Sequence, residues 1–387
     1  MGVNHKRSAG GAGSLTQGWV WLALAALIAL TPGCALFNRL NVERVATGQA
    51  PPSQVAAYLT VERGGDAVKG LTAASFQVFE DEHDVTQEAR VTLIPRAQVA
   101  YHHTLVLVDV GSSAENVQMA GPLRELVARL RQTRDVSVFG FDGAADLIPL
   151  GQYRAGASDA TGLDRLERLT PRDPSRNLNG AISMGLQQLE SRLMQVQRPV
   201  RRGSLLVVTR GPDLARRVSD DQLLDKLSKV DHQTYAVVLG QHDGLRADDL
   251  GATEAVQTES VSELPSAASR IARLMESHVE AEYVVSYCSP ARAGKRLVRI
   301  EALLTQDETE YRGSVDFEID AAGFTAGCNP NRAPTFISVV RAASAAPSPP
   351  PQPATQPGAA DEPGKPAHEP PADGIVPPPS TPNYETP

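Results

Sequence analysis

The side chains best placed to do chemistry lie at three points: Asp109, Ser112 and Ser113 in one stretch, Ser175, Arg176 and Asn177 in a second, and Arg210 in a third. Carboxylate and hydroxyl oxygens are the donors that hard divalent cations select, whereas a guanidinium is a permanent cation with no acceptor. A separate cluster, Glu80, Asp81, Glu82, His83 and Asp84, reads as the solvated tip between two strands; its oxygens suit calcium, but the EF-hand spacing is missing. The histidines at 102, 103, 232, 242 and 278 show neither His-Glu-x-x-His spacing nor a local cysteine and read as surface or boundary residues. Three catalytic signatures are absent from the sequence: Gly-x-Ser-x-Gly, and, after a strand, the dinucleotide fingerprint and the Gly-Lys-Ser/Thr phosphate loop. These residues point away from an enzyme.

The elements that must position these groups change character along the chain. Residues 53–98 read as a small β unit, with strands at 55–63, 76–81 and 89–95 and a Gly64-Gly65-Asp66 turn. From residue 101 to 280 buried strands alternate with amphipathic helices. The strand at 104–110 is continuously apolar up to Asp109, as in a strand covered on both faces. Further strands fall at 136–142, 145–150, 204–210 and 234–240, and helices at 123–132, 178–196, 220–230 and 264–279. This alternation predicts an α/β fold, a doubly wound, mostly parallel six-stranded sheet of Rossmann-like kind. β character returns over 282–341, so the two flanking β segments are expected to meet as one small β-sandwich, discontinuous in sequence, with the α/β domain inserted into it.

The two ends carry a different signal. Residues 1–33 read as a signal peptide: His5, Lys6 and Arg7 precede an apolar run at 19–30 that falls short of the ~20 residues a span needs. The run ends at Gly33-Cys34, which resembles the lipobox of bacterial lipoproteins, although Leu30 lies one place early and Pro32 is atypical. That resemblance implies acylation of Cys34, with residues 34–52 as anchor and linker; cleavage as an ordinary secreted protein is the alternative. Ala35, in place of the Asp that signals inner-membrane retention, makes the periplasmic face of the outer membrane the expected location. With Cys34 acylated, Cys288 and Cys328 remain as an even pair in an oxidising compartment and are expected to be bridged, two buried thiols being the alternative. Residues 342–387 are rich in Pro and Ala and are expected to be a disordered tail of polyproline II character. The net charge of −8, with scattered arginines, excludes a nucleic-acid partner.

The strand ending in Asp109-Val110-Gly111-Ser112-Ser113, then Phe139-Gly140-Phe141-Asp142, Arg176-Asn177-Leu178 and Thr209-Arg210-Gly211, resembles the von Willebrand factor A (VWA) family in the order of its elements over residues 55–290. Residues 70–87 resemble the β segment that precedes the domain in a bacterial VWA-related subgroup. The family's metal-ion-dependent adhesion site sets Asp-x-Ser-x-Ser, a Thr and an Asp around Mg²⁺ or Mn²⁺. Here Asp109 and Ser113 match, but Gly111 replaces the first Ser, Arg176 the Thr and Arg210 the Asp. The resemblance therefore implies a degenerate site without metal, in which an arginine paired with Asp109 stands as a tethered cation. A relaxed set, with Ser175 and either Asp173 or Asp213 completing a Mg²⁺ or Mn²⁺ site, is the alternative. The implied function is a non-enzymatic protein-binding or scaffold module of the cell envelope, presenting Asp109, Ser112, Ser113, Arg176, Asn177 and Arg210 to an unknown envelope protein; the alternative is a Mg²⁺/Mn²⁺-dependent adhesion domain.

Overall fold

The computed structural model describes residues 39–157, 163–240, 250 and 252–338. Cys34, the leader and the 342–387 tail lie outside the described residues. In chain order the first part contains β1 (Asn41–Ala50), β2 (Gln54–Arg63), β3 (Asp66–Ala67), β4 (Phe76–Glu80), β5 (His83–Asp84), β6 (Thr92–Leu93) and the single turn α1 (Arg96–Val99). The middle contains β7 (Ala100–Asp109), α2 (Ser113–Leu130), β8 (Asp135–Phe141), β9 (Ile148–Tyr153), α3 (Asp164–Glu167), α4 (Leu178–Met194), β10 (Val200–Thr209), α5 (Asp220–Ser228), β11 (Gln233–Leu239), β12 (Glu254–Thr258) and α6 (Leu264–Glu280). The last part adds β13 (Glu282–Cys288), β14 (Lys295–Gln306), β15 (Thr309–Asp320) and β16 (Phe336–Ser338). Among the described residues no helix is long and apolar enough to cross a membrane.

The middle part is a six-stranded sheet in the order β12-β11-β10-β7-β8-β9, parallel except for the edge strand β9. Alternate residues of the central strands face opposite helices. Val106 and Val108 pack toward α2 and α6 with Met119, Leu123, Ile271 and Met275, while Leu105 and Leu107 pack toward α4 with Ile182, Leu186 and Leu189. Burial on both faces is why these strands read as continuous apolar runs.

The flanking strands form two antiparallel sheets, β16-β1-β2-β13-β6 and β15-β14-β4-β5, over one apolar core that includes Leu59, Val285, Phe76 and Ile300. β6 enters the α/β insertion and β13 leaves it, and the two pair side by side, so the sandwich closes beneath the inserted domain. It begins earlier than the sequence indicated: residues 41–50, expected to be linker, are strand β1 paired along β2. The burial of β1 is irregular, with a register shift between Arg44 and Ala46, which hides its period of two. Cys288, at the end of β13, is bridged to Cys328 with Cα atoms 5.8 Å apart.

The second face of the β1–β2–β13 sheet is also covered. Ala56, Tyr58 and Val284 pack on Ile94, Val99, Ala100 and Val200, which lie in or beside the starts of β7 and β10. At this junction the buried Glu282 carboxylate accepts hydrogen bonds from Tyr58 (2.6 Å) and His102 (2.7 Å), with Arg202 3.5 Å away. Burial raises the Glu282 pKa, but His102, Arg202 and the Tyr58 hydroxyl outweigh it and hold the group at about 2.

Candidate functional site

The predicted residues converge at the C-terminal edge of the parallel strands, where α/β sheets carry their sites. Asp109 ends β7, Arg210 directly follows β10, and Arg176 lies in the loop entering α4. Asp109 is only 2% exposed. Its Oδ2 accepts from Arg176 Nε at 2.6 Å and from the backbone N–H of Arg210 at 2.9 Å, and its Oδ1 accepts from Arg210 Nη2 at 2.9 Å. Arg210 also donates from Nη2 to the Val110 carbonyl and from Nη1 to Glu115 Oε2 at 3.0 Å. Burial lowers the pKa of Arg210, but Asp109 and Glu115 overcompensate and raise it.

Gly111 is part of this arrangement. A Cβ at that position would meet Arg210 Nη1 at 2.6 Å, Glu115 Oε2 at 2.7 Å and Arg210 Cζ at 2.8 Å. The guanidinium lies where a Ser side chain would begin, so Gly at 111 and this placement of Arg210 require each other.

Ser112 and Ser113 act separately from Asp109. Ser112 is the N-cap of α2 and forms a capping box with Glu115, its hydroxyl donating to Glu115 Oε2 at 2.7 Å. Burial raises the Glu115 pKa, but the Ser112 hydroxyl, its N–H and Arg210 bring it below the usual carboxylate value. Ser113 is exposed and makes no side-chain hydrogen bond among the described residues. Ser175 donates to Asp173 (2.6 Å), and Asp213 accepts from the backbone N–H groups of Asn179 and Arg216. Among the described residues, Ser175, Asp173 and Asp213 make no hydrogen bond to Asp109. No group of three or more acidic, His or Cys side chains that could hold a metal occurs among the described residues.

Two residues expected on the binding surface are buried, which corrects that reading. Asp109 is covered by its arginines, and Asn177 points inward, donating to the Ala144 carbonyl and packing against Gly180. The exposed side chains of this edge are instead Ser112, Ser113, Arg172, Leu214, Arg216 and Arg217. The sequence reading missed Glu115, visible as the fourth residue of the Ser-x-x-Glu capping pattern, and the Asp142–Arg172 pair. Arg172 grips the fully buried Asp142 through Nε (3.0 Å) and Nη2 (3.1 Å), and its backbone N–H adds a third bond. Burial raises the Asp142 pKa, but these donors bring it below the ordinary value.

A nucleophile–base pair does occur elsewhere. His103 Nε2 lies 3.0 Å from Ser137 Oγ, and Nδ1 lies 2.9 Å from the Tyr101 hydroxyl, which donates to Asp135 (2.8 Å). Because Tyr101 spends its one proton on Asp135, Nδ1 carries the imidazole proton and Ser137 donates to Nε2. Ser137 is only 1% exposed and sits in the middle of β8, beneath α4, so its hydroxyl cannot meet a substrate in this conformation. Burial lowers the His103 pKa to about 4.

No protein-family model and no curated protein matches the chain. Solved structures align at low identity. Proximal thread matrix protein 1 from the mussel byssus is similar at 16% identity and a TM-score of 0.37, over 46% of this chain and 48% of that one, so less than half of that protein is spanned. The ArnB paralog VWA2 from Sulfolobus acidocaldarius aligns at 13% identity and a TM-score of 0.34, over 73% of this chain and 75% of that one. The SpRpn10 VWA domain aligns at 12% identity and a TM-score of 0.32, over 42% of this chain and 93% of that one. The architecture of this chain, a mostly parallel six-stranded α/β domain set into an antiparallel sandwich, stands on its own strand order and registers rather than on these likenesses.

Proposed function

We propose that this chain is a lipid-anchored, non-enzymatic protein-binding or scaffold module of the cell envelope, built on a VWA-like domain in which arginine takes the place of an adhesion metal. The observation that carries the reading is the clamp on Asp109: two guanidiniums and one backbone N–H donate to its two oxygens. A dication beside Asp109 would face both guanidiniums, and at ~5 Å with an effective dielectric of ~20 each would repel it by roughly 6–7 kcal/mol. The reaction partner is a protein surface rather than a substrate, and it meets the exposed rim of Arg172, Leu214 and Arg216.

The test is a thermal melt of the full chain with EDTA and then with millimolar Mg²⁺ or Mn²⁺. A native-state ligand must raise stability by mass action, so no shift is expected; a rise of several degrees would overturn the reading and put the metal-dependent adhesion domain first. The anchor is tested separately. Cys34→Ser should release the protein from the membrane fraction and abolish palmitate labelling, and membrane retention of that variant would remove the lipid from the proposal.

A further inference from the structure

Arg96 opens α1 and lies where two cavities meet, one of about 590 Å³ against α2 and α6 and one of about 380 Å³ against β6 and β13. Its Nη1 is buried without a hydrogen-bond partner, and among the described residues its guanidinium makes no ion pair. The other cations around the first cavity are engaged: Arg129 holds Glu276 through two bonds of 2.6 and 2.5 Å, and Lys69, beside the second cavity, pairs with Glu280. Two further arginines lie near this junction. Arg134 is buried with Nε unpartnered and Nη2 on the Met275 carbonyl (2.9 Å), and Arg202 leans on Glu282. Glu282 is the buried carboxylate of this junction, and Tyr58 and His102 already occupy one of its oxygens. The charge of Arg96 is felt at Tyr58, Tyr283 and Arg134. Buried polar groups are ordinarily hydrogen-bonded, and a half-buried guanidinium with an unpartnered inner nitrogen at a cavity mouth is a ready place for an anion.

We propose that this groove is a binding site for an aliphatic monocarboxylate whose carboxylate pairs with Arg96 and whose apolar body lies along the second cavity. Leu93, Ile94, Pro95, Tyr283 and Val284 give that cavity its apolar wall, and Lys69, Glu280 and Glu282 line it as well; Lys69 is paired with Glu280, and Glu282 is held by Tyr58, His102 and Arg202. The rim decides against a phosphate: Glu125, Glu276 and Glu280 border the first cavity, and they repel a dianion more strongly than a singly charged carboxylate. This site is separate from the Asp109 edge and does not depend on the function proposed for it.

The experiment is calorimetric titration of octanoate into the full chain, with octanol and octyl phosphate as comparisons. Octanoate should bind, octanol at least tenfold more weakly, and octyl phosphate more weakly than octanoate. Arg96→Gln should weaken octanoate at least tenfold and Arg96→Lys less. Pro95→Trp, at the exposed lip of the second cavity, should block binding with Arg96 still in place, which keeps the test open if Arg96→Gln folds poorly. Absence of octanoate binding, unchanged binding in both Arg96→Gln and Pro95→Trp, or tighter binding of octyl phosphate would each overturn the proposal.

Discussion

Replacing Arg210 by Met tests whether Asp109 and its arginines form one unit. The substitution removes the Nη2 bond to Asp109 and the Nη1 bond to Glu115 while leaving Arg176 and the backbone N–H in place. A hydrogen bond to a charged group contributes about 1.5–3 kcal/mol, and stranding a buried charge entirely costs about 3–5 kcal/mol. Asp109 keeps one guanidinium, and Arg210 is 20% exposed, so the expected loss is about 2 kcal/mol. Asp109→Asn should cost about 3 kcal/mol, because it leaves two half-buried guanidiniums sharing a neutral amide. The double variant should fall short of the sum by about 1.5 kcal/mol, the coupling expected of residues in one charged network. Gly111→Ala should cost about as much as Arg210→Met, since its Cβ evicts the guanidinium, yet add less than about 0.5 kcal/mol in the Arg210→Met background, where the Cβ still meets Glu115 Oε2 but that flexible carboxylate, freed of its arginine, can move aside. Urea denaturation followed by circular dichroism measures the five variants against the wild type. Additive costs for the Asp109 and Arg210 changes would refute the clamp, as would a Gly111→Ala penalty that persists without Arg210.

Three further outcomes are expected. His103 has a pKa of about 4 in the fold against ~6.5 unfolded, so the unfolded chain binds the extra proton between these values: stability is full above ~6.5 and falls by about 3 kcal/mol as pH drops to ~4. Melting profiles over that range should show the decline in the wild type and a shallower one in His103→Gln; identical slopes would dismiss His103 as its source. Reducing Cys288–Cys328 opens a loop of sequence separation 40 and should cost about 4 kcal/mol on the loop-closure estimate, read as a lowered urea midpoint with dithiothreitol; an unchanged midpoint would contradict it. Ser112→Ala removes the cap of α2 and should cost about 1 kcal/mol, and a loss under about 0.3 kcal/mol would mean that Glu115 caps the helix alone.

What the sequence made legible followed from regular burial. The strands at 104–110 and 204–210 were readable because both faces are covered, and Asp109 and Arg210 mark their ends. The helix expected at 123–132 in fact begins at Ser113, because Gly121 and Pro122 look like a break while Ser112 and Glu115 cap the true start. The strand expected at 145–150 lies at Ile148–Tyr153 as an antiparallel edge, and residues 41–50 were hidden by the irregular burial of β1. At the site, the pairing of Asp109 with arginine followed from charge alone. The inward turn of Asn177, the role of Glu115 and the Asp142–Arg172 grip depend on loop conformations that sequence spacing does not encode. The unpaired Arg96 was invisible for the same reason: its isolation is a property of the junction between the inserted domain and the sandwich.

An arginine clamp and a bound dication are two ways of neutralising one buried carboxylate, but they leave different surfaces. In the metal-dependent alternative, a bound Mg²⁺ or Mn²⁺ would present a positive centre to a partner. The clamp turns most of its donors inward: Nη1 of Arg210 is committed to Glu115, Nη2 to Asp109 and Val110, Nε of Arg176 to Asp109 and its Nη1 to the Pro212 carbonyl, while Nε of Arg210 is buried without a partner. The change is also all-or-none in its parts: a Cβ at 111 collides with Arg210, and without Arg210 the Glu115 carboxylate loses its ion-pair partner. Under the proposed function, recognition at this edge would rest on the shape of the rim and on outward side chains such as Leu214, which is exposed, and Arg216, whose backbone turns at a positive φ of 51°. Binding of that kind survives chelators, weakens when Leu214→Glu or Arg216→Glu alters the rim, and is indifferent to Ser113→Ala, the substitution that would disable a metal-dependent relative.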